Sequence, residues 1–252
     1  MARKLRIEFE GARYHVINRG NYRSDVFGSD GAVRSFLVTL EETVEKFGWV
    51  LFAYVVMRNH YHLAIETPRG NLSAGMHWLQ STFSTRFNRF RGERGHLFQG
   101  RFTSAVLEDV HAVRRVVDYI HLNPVRAKVV SIDRVGEFRS SSFNRLLGKQ
   151  EMKGLDAGLW MSALNLKTTS RGWAKYQRHL AKVVGTQEGD VIRSAWAVGS
   201  QAWKSGLAKT YGAKTGYGAL THSQRIEIQE SLWESRLKEL LERDGRSEEE
   251  LE

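Results

Sequence analysis

The stretch Val50 to Thr67, VLFAYVVMRNHYHLAIET, decides the fold of this chain. An apolar run from Val50 to Met57 is followed by a short turn and by a second run that starts at His60. The pattern predicts two strands joined by a tight turn. Residues two apart on a strand point to the same face, so His60 and His62 project side by side. Such an imidazole pair can hold one divalent metal ion, although the same spacing also arises by chance.

A second segment, Asp109 to Lys128 (DVHAVRRVVDYIHLNPVRAK), contains apolar residues three and four apart, which predicts a helix. Pro124 marks the position at which this helix is expected to stop. Tyr119 and Asn123 are four residues apart and therefore share one helix face. A phenolic hydroxyl and an amide oxygen one turn apart would complete a site whose other half is the histidine pair. The alternative is a tyrosine packed in the core with its hydroxyl satisfied.

These residues resemble a known family, the single-tyrosine HUH transposases (the IS200-like transposase domain). The similarity in pattern is greatest to the REP-associated tyrosine transposases, which act on repetitive extragenic palindromes. It covers roughly residues 8–148, and five motifs carry it in order. They are Tyr14–Asn21 (YHVINRGN), His60–His62 (HYH), Gly95–Phe102 (GHLFQGRF), Asp118–Ala127 (DYIHLNPVRA) and Phe138–Phe143 (FRSSSF).

The resemblance implies a metal-dependent enzyme that cleaves and joins single-stranded or hairpin DNA. Tyr119 would be the nucleophile and would form a 5′-phosphotyrosine and a free 3′-OH. His60, His62 and Asn123 would hold the metal. Since none of these ligands is anionic, the charge of the ion stays available to the phosphodiester, and Mg²⁺ or Mn²⁺ suits the mixed nitrogen and oxygen donors.

Three functional interpretations remain open from the sequence. The first is an active DNA strand transferase. The second is a domesticated DNA-hairpin-binding protein that keeps the fold without catalysis. The third is a metal-dependent phosphodiesterase in which Tyr119 only packs. The neighbours Asp118 and His121 lie away from Tyr119 around the helix, so we expect a salt-bridge partner and a structural histidine there.

Composition limits the compartment and the class of partner. The 252 residues include 41% hydrophobic side chains and no cysteine, which excludes a disulfide framework and a thiolate metal site. The N-terminus lacks the apolar core of a signal peptide, and no run is long enough to span a bilayer. These features predict a cytoplasmic protein. The resemblance implies a bacterial one that associates with the nucleoid when it binds DNA.

The net charge of +10 favours a polyanionic partner, although residues 219–252 are acidic. Arginine is common in the first half, and its forked guanidinium suits phosphates and base edges. On the second predicted helix the basic side is either solvated or a phosphate-binding ridge. The candidates for DNA contacts are Arg13, Arg19, Arg23, Arg86, Arg89, Arg101, Arg115 and Arg126.

The order of predicted elements gives an α+β fold with a ferredoxin-like βαββαβ antiparallel sheet and both helices on one face. The tyrosine helix must then cross beside the central strands. Helices are expected at Ser29–Phe47, capped by Ser29 or Asp30, and after Asn71 or Ser73. In the second helix an apolar stripe runs from Met76 to Phe90, and a fourth strand is expected over Phe98–Leu107.

Residues 1–148 form the predicted catalytic domain and residues 149–252 a helical extension. The extension is either a cap over the sheet or a DNA-contacting module, with a helix pair expected within Val191–Leu207. A further helix is expected at Thr221–Arg243, before an acidic tail at Asp244–Glu252. The family resemblance favours a monomer, but the sequence is equally compatible with a dimer that shares tyrosine helices.

Overall fold

A computed structural model of the protein describes residues 6–186, 192 and 195–215. The chain forms one mixed sheet with helices on both of its faces. The strands are β1 Ala12–Arg19, β2 Val50–Val56, β3 His60–Thr67, β4 Thr103–Leu107 and β5 Ala197–Val198. The helices are α1 Asp30–Phe47, α2 Leu72–Arg91, α3 Val110–Arg126, α4 Ser142–Leu147, α5 Gly158–Ser162, α6 Ser170–Val183 and α7 Gln201–Thr215.

The sheet has the strand order β2-β3-β1-β4-β5. Its first four strands are antiparallel neighbours, and β1 pairs with both β3 and β4. This is the split βαβ order expected for a ferredoxin-like fold, so the predicted α+β class is confirmed. The two-residue strand β5, which runs parallel to β4, was not predicted.

Helices α1 and α2 pack together on one face of the sheet. The Ser29 side chain accepts a hydrogen bond from the amide of Ala32, which begins α1 as predicted. Gly48, with φ of +66°, ends the helix in the left-handed conformation. Phe36 and Leu40 of α1 face the core and are fully buried. Burial of each such side chain contributes roughly 1.5–3 kcal/mol.

Helix α2 differs from the prediction at both ends. Asn71 precedes it, but its side chain accepts from Trp49 Nε1 at 2.8 Å and donates to the carbonyl of Phe47 at 3.0 Å instead of capping the helix. At the other end Phe90 is 91% exposed, so its assignment to the buried stripe was wrong. The reason is that the last turn of α2 extends past the packed core, which ends near Phe87.

Helix α3 lies on the opposite face of the sheet. The Asp109 carboxylate accepts from the amide of Ala112 at 2.7 Å and caps the helix. The expected stop at Pro124 was wrong, because α3 continues to Arg126. A proline in the last turn removes only its own bond to the carbonyl of Ile120, which leaves the rest of the helix intact.

The predicted fourth strand begins later than expected. Residues 98–102 form only an isolated bridge between Phe98 and Gly20, and β4 starts at Thr103. The left-handed backbone of Gly95 and Gly100 turns the chain in this segment, which prevents a continuous strand.

Residues after 148 share a core with the preceding part of the chain. Trp160, Trp173 and Tyr176 of α5 and α6 share a buried cluster with α3, and Trp160 Nε1 donates to the carbonyl of Phe52 in β2. Whether this segment is a cap or a DNA-contacting module stays a prediction, and so does the boundary between 148 and 149. The helix pair expected in Val191–Leu207 stays a prediction, because part of its first half lies outside the described residues. In the part that is described, Ala197–Val198 add a strand to the sheet before helix α7.

The helix expected at Thr221–Arg243 and the tail at Asp244–Glu252 lie outside the described residues. Among the helices described, none is long and apolar enough to cross a lipid bilayer.

Candidate active site

Strand β3 places His60 and His62 on the face of the sheet that α3 covers. Because successive side chains on a strand point to opposite faces, Tyr61 lies on the other face, in the core with α1 and α2. The two imidazole rings are 5.1 Å apart at their centroids and nearly perpendicular. His62 is buried and His60 is half-buried, so the solvent reaches the pair from the side of His60.

Helix α3 brings Tyr119 and Asn123 against this pair from the same chain. Asn123 Nδ2 lies 3.2 Å from His62 Nε2. The Tyr119 ring contacts the His62 ring edge-on at a centroid distance of 5.4 Å and is 6% exposed. The four residues predicted from sequence are therefore adjacent within a single chain.

His15 of β1 is a member of this cluster that the sequence interpretation missed. Its Nε2 lies 3.0 Å from His62 Nδ1, and its ring contacts Tyr119 edge-on at 5.6 Å. The signal was available in the alternation of β1. Tyr14 and Val16 face α1 and α2, so His15 between them must face α3, where an unpartnered imidazole would be costly.

Burial makes these imidazoles neutral at physiological pH. Desolvation lowers the pKa of His15 to about 3. Desolvation, with a smaller contribution from the positive charge of Arg19, lowers the pKa of His60 to about 4, while a hydrogen bond with Asn123 acts in the opposite direction. Desolvation also lowers the pKa of His62 well below its ordinary value, and neighbouring His15 and His60 add to this effect.

The arrangement of His60, His62 and Asn123 suits a divalent metal ion. The amide nitrogen of Asn123 lies 3.2 Å from His62 Nε2, so rotation of the amide about its last bond would present the oxygen that binds Mg²⁺ or Mn²⁺. Neutral imidazoles are the form that binds metal. Within the described part of the chain no group of three or more His, Asp or Glu side chains is placed to hold a metal, so an ion here needs the amide of Asn123.

Comparison with known proteins places this site in a family. Residues 8–123 match the model of the family described as "Transposase IS200 like". This segment belongs to the IS200-like transposase family. The matched range begins before β1 and ends at Asn123, so it contains both histidines of β3, His15 and Tyr119.

Two solved structures are similar to this chain. A REP-associated tyrosine transposase bound to a REP hairpin shares 22% identity and covers 62% of this chain and 88% of its own, with a TM-score of 0.47. A transposase-like protein from Deinococcus radiodurans R1 shares 18% identity and covers 51% of this chain and 92% of its own, with a TM-score of 0.35. No curated protein sequence matches the chain.

Two of the candidate arginines of the IS200-like transposase domain lie at the site. Arg19 is close enough to lower the pKa of both histidines of β3. The Arg126 guanidinium lies over the Tyr119 ring, with Cζ 5.7 Å from the centroid, and its Nη2 donates to the carbonyl of Thr186 at 3.3 Å. Arg126 Nε is buried and has no hydrogen-bond partner among the residues described.

The other candidate arginines lie in three kinds of environment. Arg13 is paired with Glu66, and Arg86 is held by Glu42 and Thr39, so both are engaged within the protein. Arg115 lines a small cavity of about 250 Å³ next to β5. Arg23, Arg89 and Arg101 are exposed. A role in DNA binding stays a prediction for all eight.

Asp118 and His121 belong to the packing of α3. The Asp118 carboxylate accepts from Arg114 at 2.6 Å and from the Tyr176 hydroxyl at 3.0 Å. His121 is buried between the hydroxyls of Tyr176 and Ser142, at 2.9 and 2.8 Å. Asp118 is engaged by α6, and His121 by α6 and by Ser142 of α4, which also contacts the backbone of Tyr54 in β2. These contacts agree with the structural roles expected for them.

Proposed function

We propose that this protein is a DNA strand transferase that cleaves single-stranded or hairpin DNA through a covalent bond to Tyr119. The observation that carries the proposal is the contact of the Tyr119 ring with His62 in a cluster that also holds His60 and Asn123. A tyrosine with only a packing role needs neither two histidines in reach of one amide nor an arginine over its ring.

In the proposed reaction the Tyr119 Oη attacks a phosphodiester phosphorus and the P–O3′ bond breaks. The products are a 5′-phosphotyrosine and a 3′-oxygen that takes up a proton, while the phenol has lost one. The exchange of one phosphodiester for another needs no nucleotide cofactor. A later attack by a different 3′-OH reverses the step and joins the strands.

The partnerless Nε of Arg126 supports a phosphate beside Tyr119. A buried N–H without an acceptor costs roughly 1–3 kcal/mol, and a phosphate oxygen is the acceptor that guanidinium groups bind best. The guanidinium already lies over the Tyr119 ring. It would therefore supply positive charge where charge develops during attack.

His60, His62 and the amide oxygen of Asn123 would hold a divalent metal, Mg²⁺ or Mn²⁺ in use, which would polarise and orient the phosphate. The two imidazoles contribute neutral nitrogen donors and Asn123 contributes a neutral oxygen. The phosphate therefore meets no negatively charged ligand at the metal. Arg19, exposed beside the histidines, suits the backbone of the approaching strand.

The substrate class follows from the sequence motifs and from the shape of the site. A nucleophile that is 6% exposed can reach a phosphate only if no paired strand stands in the way. The resemblance of residues 8–148 to REP-associated tyrosine transposases favours a hairpin with a single-stranded 5′ flank. One chain contains the whole set of site residues, which supports action as a monomer.

The test is to incubate the purified protein with end-labelled single-stranded hairpins and Mn²⁺ and to look for adducts that survive denaturation. We expect adducts with the wild type and none with Tyr119→Phe, which keeps the ring. The matched control is Tyr22→Phe, because Tyr22 is 92% exposed and would be the nucleophile in a non-specific reaction. Adducts at wild-type levels in Tyr119→Phe would refute the proposal. Hairpin binding without any adduct would favour a non-catalytic protein, and free 5′ ends a phosphodiesterase.

A further inference from the structure

Asn59, in the turn between β2 and β3, bridges a loop and a proposed metal ligand. Its Nδ2 lies 3.3 Å from the carbonyl oxygen of Arg23, and its Oδ1 lies 2.7 Å from His60 Nδ1. Its backbone carbonyl accepts from the amide of Gly20 at 2.8 Å. One side chain thus contacts both the loop after β1 and the imidazole of His60.

These contacts determine which nitrogen of His60 carries the proton. A backbone carbonyl can only accept, so the end of the Asn59 amide that faces Arg23 must be the NH₂ group. The other end, which faces His60, is then the oxygen, and it too can only accept. His60 Nδ1 must therefore donate. A neutral imidazole has a single N–H, so Nε2 of His60 carries the lone pair.

The loop that orients Asn59 is held in an uncommon backbone conformation. Tyr22 and Arg23 have φ of +52° and +58°, in the left-handed region that non-glycine residues seldom occupy. The amide of Asn21 donates to the carbonyl of Leu97 at 2.9 Å, which fixes the loop from its other side. Left-handed residues cost of order 1 kcal/mol or more and persist where the surroundings enforce them. Here they direct the Arg23 carbonyl at Asn59.

We propose that Asn59 is a positioning residue that holds His60 as the Nδ1–H tautomer, so that Nε2 is free to bind the metal. The inference rests on the proposed function for the identity of His60 as a ligand. A histidine that binds a metal commonly donates its other N–H to an oxygen acceptor, and loss of that acceptor weakens metal binding. In this chain the acceptor is an amide oxygen whose orientation the Arg23 carbonyl fixes.

The tautomer can be read in the metal-free protein. Long-range ¹H–¹⁵N correlation spectra of the imidazole rings, recorded at neutral pH after removal of metal, distinguish a protonated from an unprotonated ring nitrogen. We expect His60 to be Nδ1–H in the wild type. In Asn59→Leu, which fills similar space and offers no acceptor, His60 should shift toward Nε2–H. Asn59→Asp keeps an acceptor at Nδ1 and should retain the wild-type tautomer.

A Mn²⁺ titration of the same three proteins gives a second measurement. Asn59→Leu should bind at least about tenfold more weakly, and Asn59→Asp should bind as well as the wild type. Unchanged His121 ring signals would show that each variant keeps its core. The inference is overturned if His60 is the Nε2–H tautomer in the wild type, and this result does not depend on whether a variant folds. It is also overturned if Asn59→Leu folds and its His60 keeps the Nδ1–H tautomer.

Neither measurement contains DNA, so the two proposals fail separately. Absence of DNA adducts from the wild type would remove the proposed strand transfer and leave the tautomer result standing. Loss of the tautomer assignment would leave the adduct assay unaffected.

Discussion

Nε2 of His15 lies 3.0 Å from Nδ1 of His62, and the two rings stack with their planes 14° apart. The other ring nitrogen of His62 faces Asn123. If His62 binds metal through Nε2, its Nδ1 carries the proton and donates to His15. A buried neutral imidazole would then be the acceptor that orients this ligand, where other metal sites use a carboxylate or a backbone carbonyl.

Replacing His15 should therefore weaken metal binding. We expect His15→Phe, which keeps an aromatic ring but no acceptor, to bind Mn²⁺ about tenfold more weakly than the wild type in a titration followed by calorimetry. His15→Gln retains an acceptor oxygen and should bind more tightly than His15→Phe. His77→Phe, at an exposed position on α2, is the control for loss of a histidine. Equal affinities for the wild type and His15→Phe would remove this role.

A second prediction concerns the packing of α2 on the sheet. An added methyl at Gly75 would overlap the ring of Trp49, whose Nε1 is tied to Asn71. Gly→Ala inside a helix gains about 1 kcal/mol from propensity, whereas overpacking a core costs about 1–3 kcal/mol. We expect packing to dominate, so that Gly75→Ala lowers the free energy of unfolding in urea titrations.

Gly31→Ala provides the matched comparison, because its added methyl meets only the Ser29 hydroxyl at 4.0 Å. That variant should be neutral or slightly more stable than the wild type. A stabilised Gly75→Ala would show that Trp49 moves aside at little cost.

The parts of the fold that the sequence predicted are those with a strong local pattern. The His60–His62 alternation and the helical spacing of Tyr119 and Asn123 each fix a face. The split βαβ order leaves one face of the sheet open to the tyrosine helix, but it does not decide that this helix comes from the same chain. Phe90 fits its helical stripe equally well and is exposed. Periodicity identifies a face of a helix, but it does not show how far along the helix the core extends.

Long-range pairings account for the rest. Strand β5 has two residues, and the carbonyl of Trp196 bonds the amide of Val106 from the far end of the sequence. No local sequence pattern predicts such a strand, because its stability comes from the edge of the sheet that it joins. Asn59 was missed for the same reason, since it acquires its role from the Arg23 carbonyl on another element. For His15 the alternation of β1 indicates the face, but its partner His62 lies on another strand.

The buried histidines also make stability depend on pH. Desolvation lowers the pKa of His121 to about 3, below its value in the unfolded chain. Below about pH 6.5 the unfolded state therefore binds more protons than the folded state, so stability is present at neutral pH and is lost as the pH falls. Each such histidine contributes a slope of about 1.4 kcal/mol per pH unit between pH 6 and 4.

The measurement is the free energy of unfolding between pH 7.5 and 4 for the wild type and His121→Gln. The variant loses hydrogen bonds to Tyr176 and Ser142 and should be less stable at pH 7.5. Its slope should be smaller than that of the wild type by about one proton, because one linked group is gone. Parallel curves would mean that His121 is protonated equally in both states.

The last prediction separates chemistry from binding at Arg126. Its guanidinium lies 5.7 Å from the Tyr119 ring centroid, and its buried Nε lacks a partner among the described residues. Arg126→Met keeps most of the aliphatic stem and removes the charge. If the guanidinium acts mainly on the phosphate as it reacts, the rate of adduct formation should fall about 10²-fold or more. Hairpin affinity should change by less than about tenfold, since one phosphate contact of several is lost.

The control is Arg139→Met, which removes one positive charge at an exposed position outside the cluster. The rate of adduct formation and the hairpin affinity should change no more than the loss of one surface charge explains. Rates are measured in single-turnover reactions and affinities by anisotropy in Tyr119→Phe backgrounds, where no covalent product interferes. A fall in affinity that matches the fall in rate would assign Arg126 to binding, and an unchanged rate would place the reacting phosphate elsewhere.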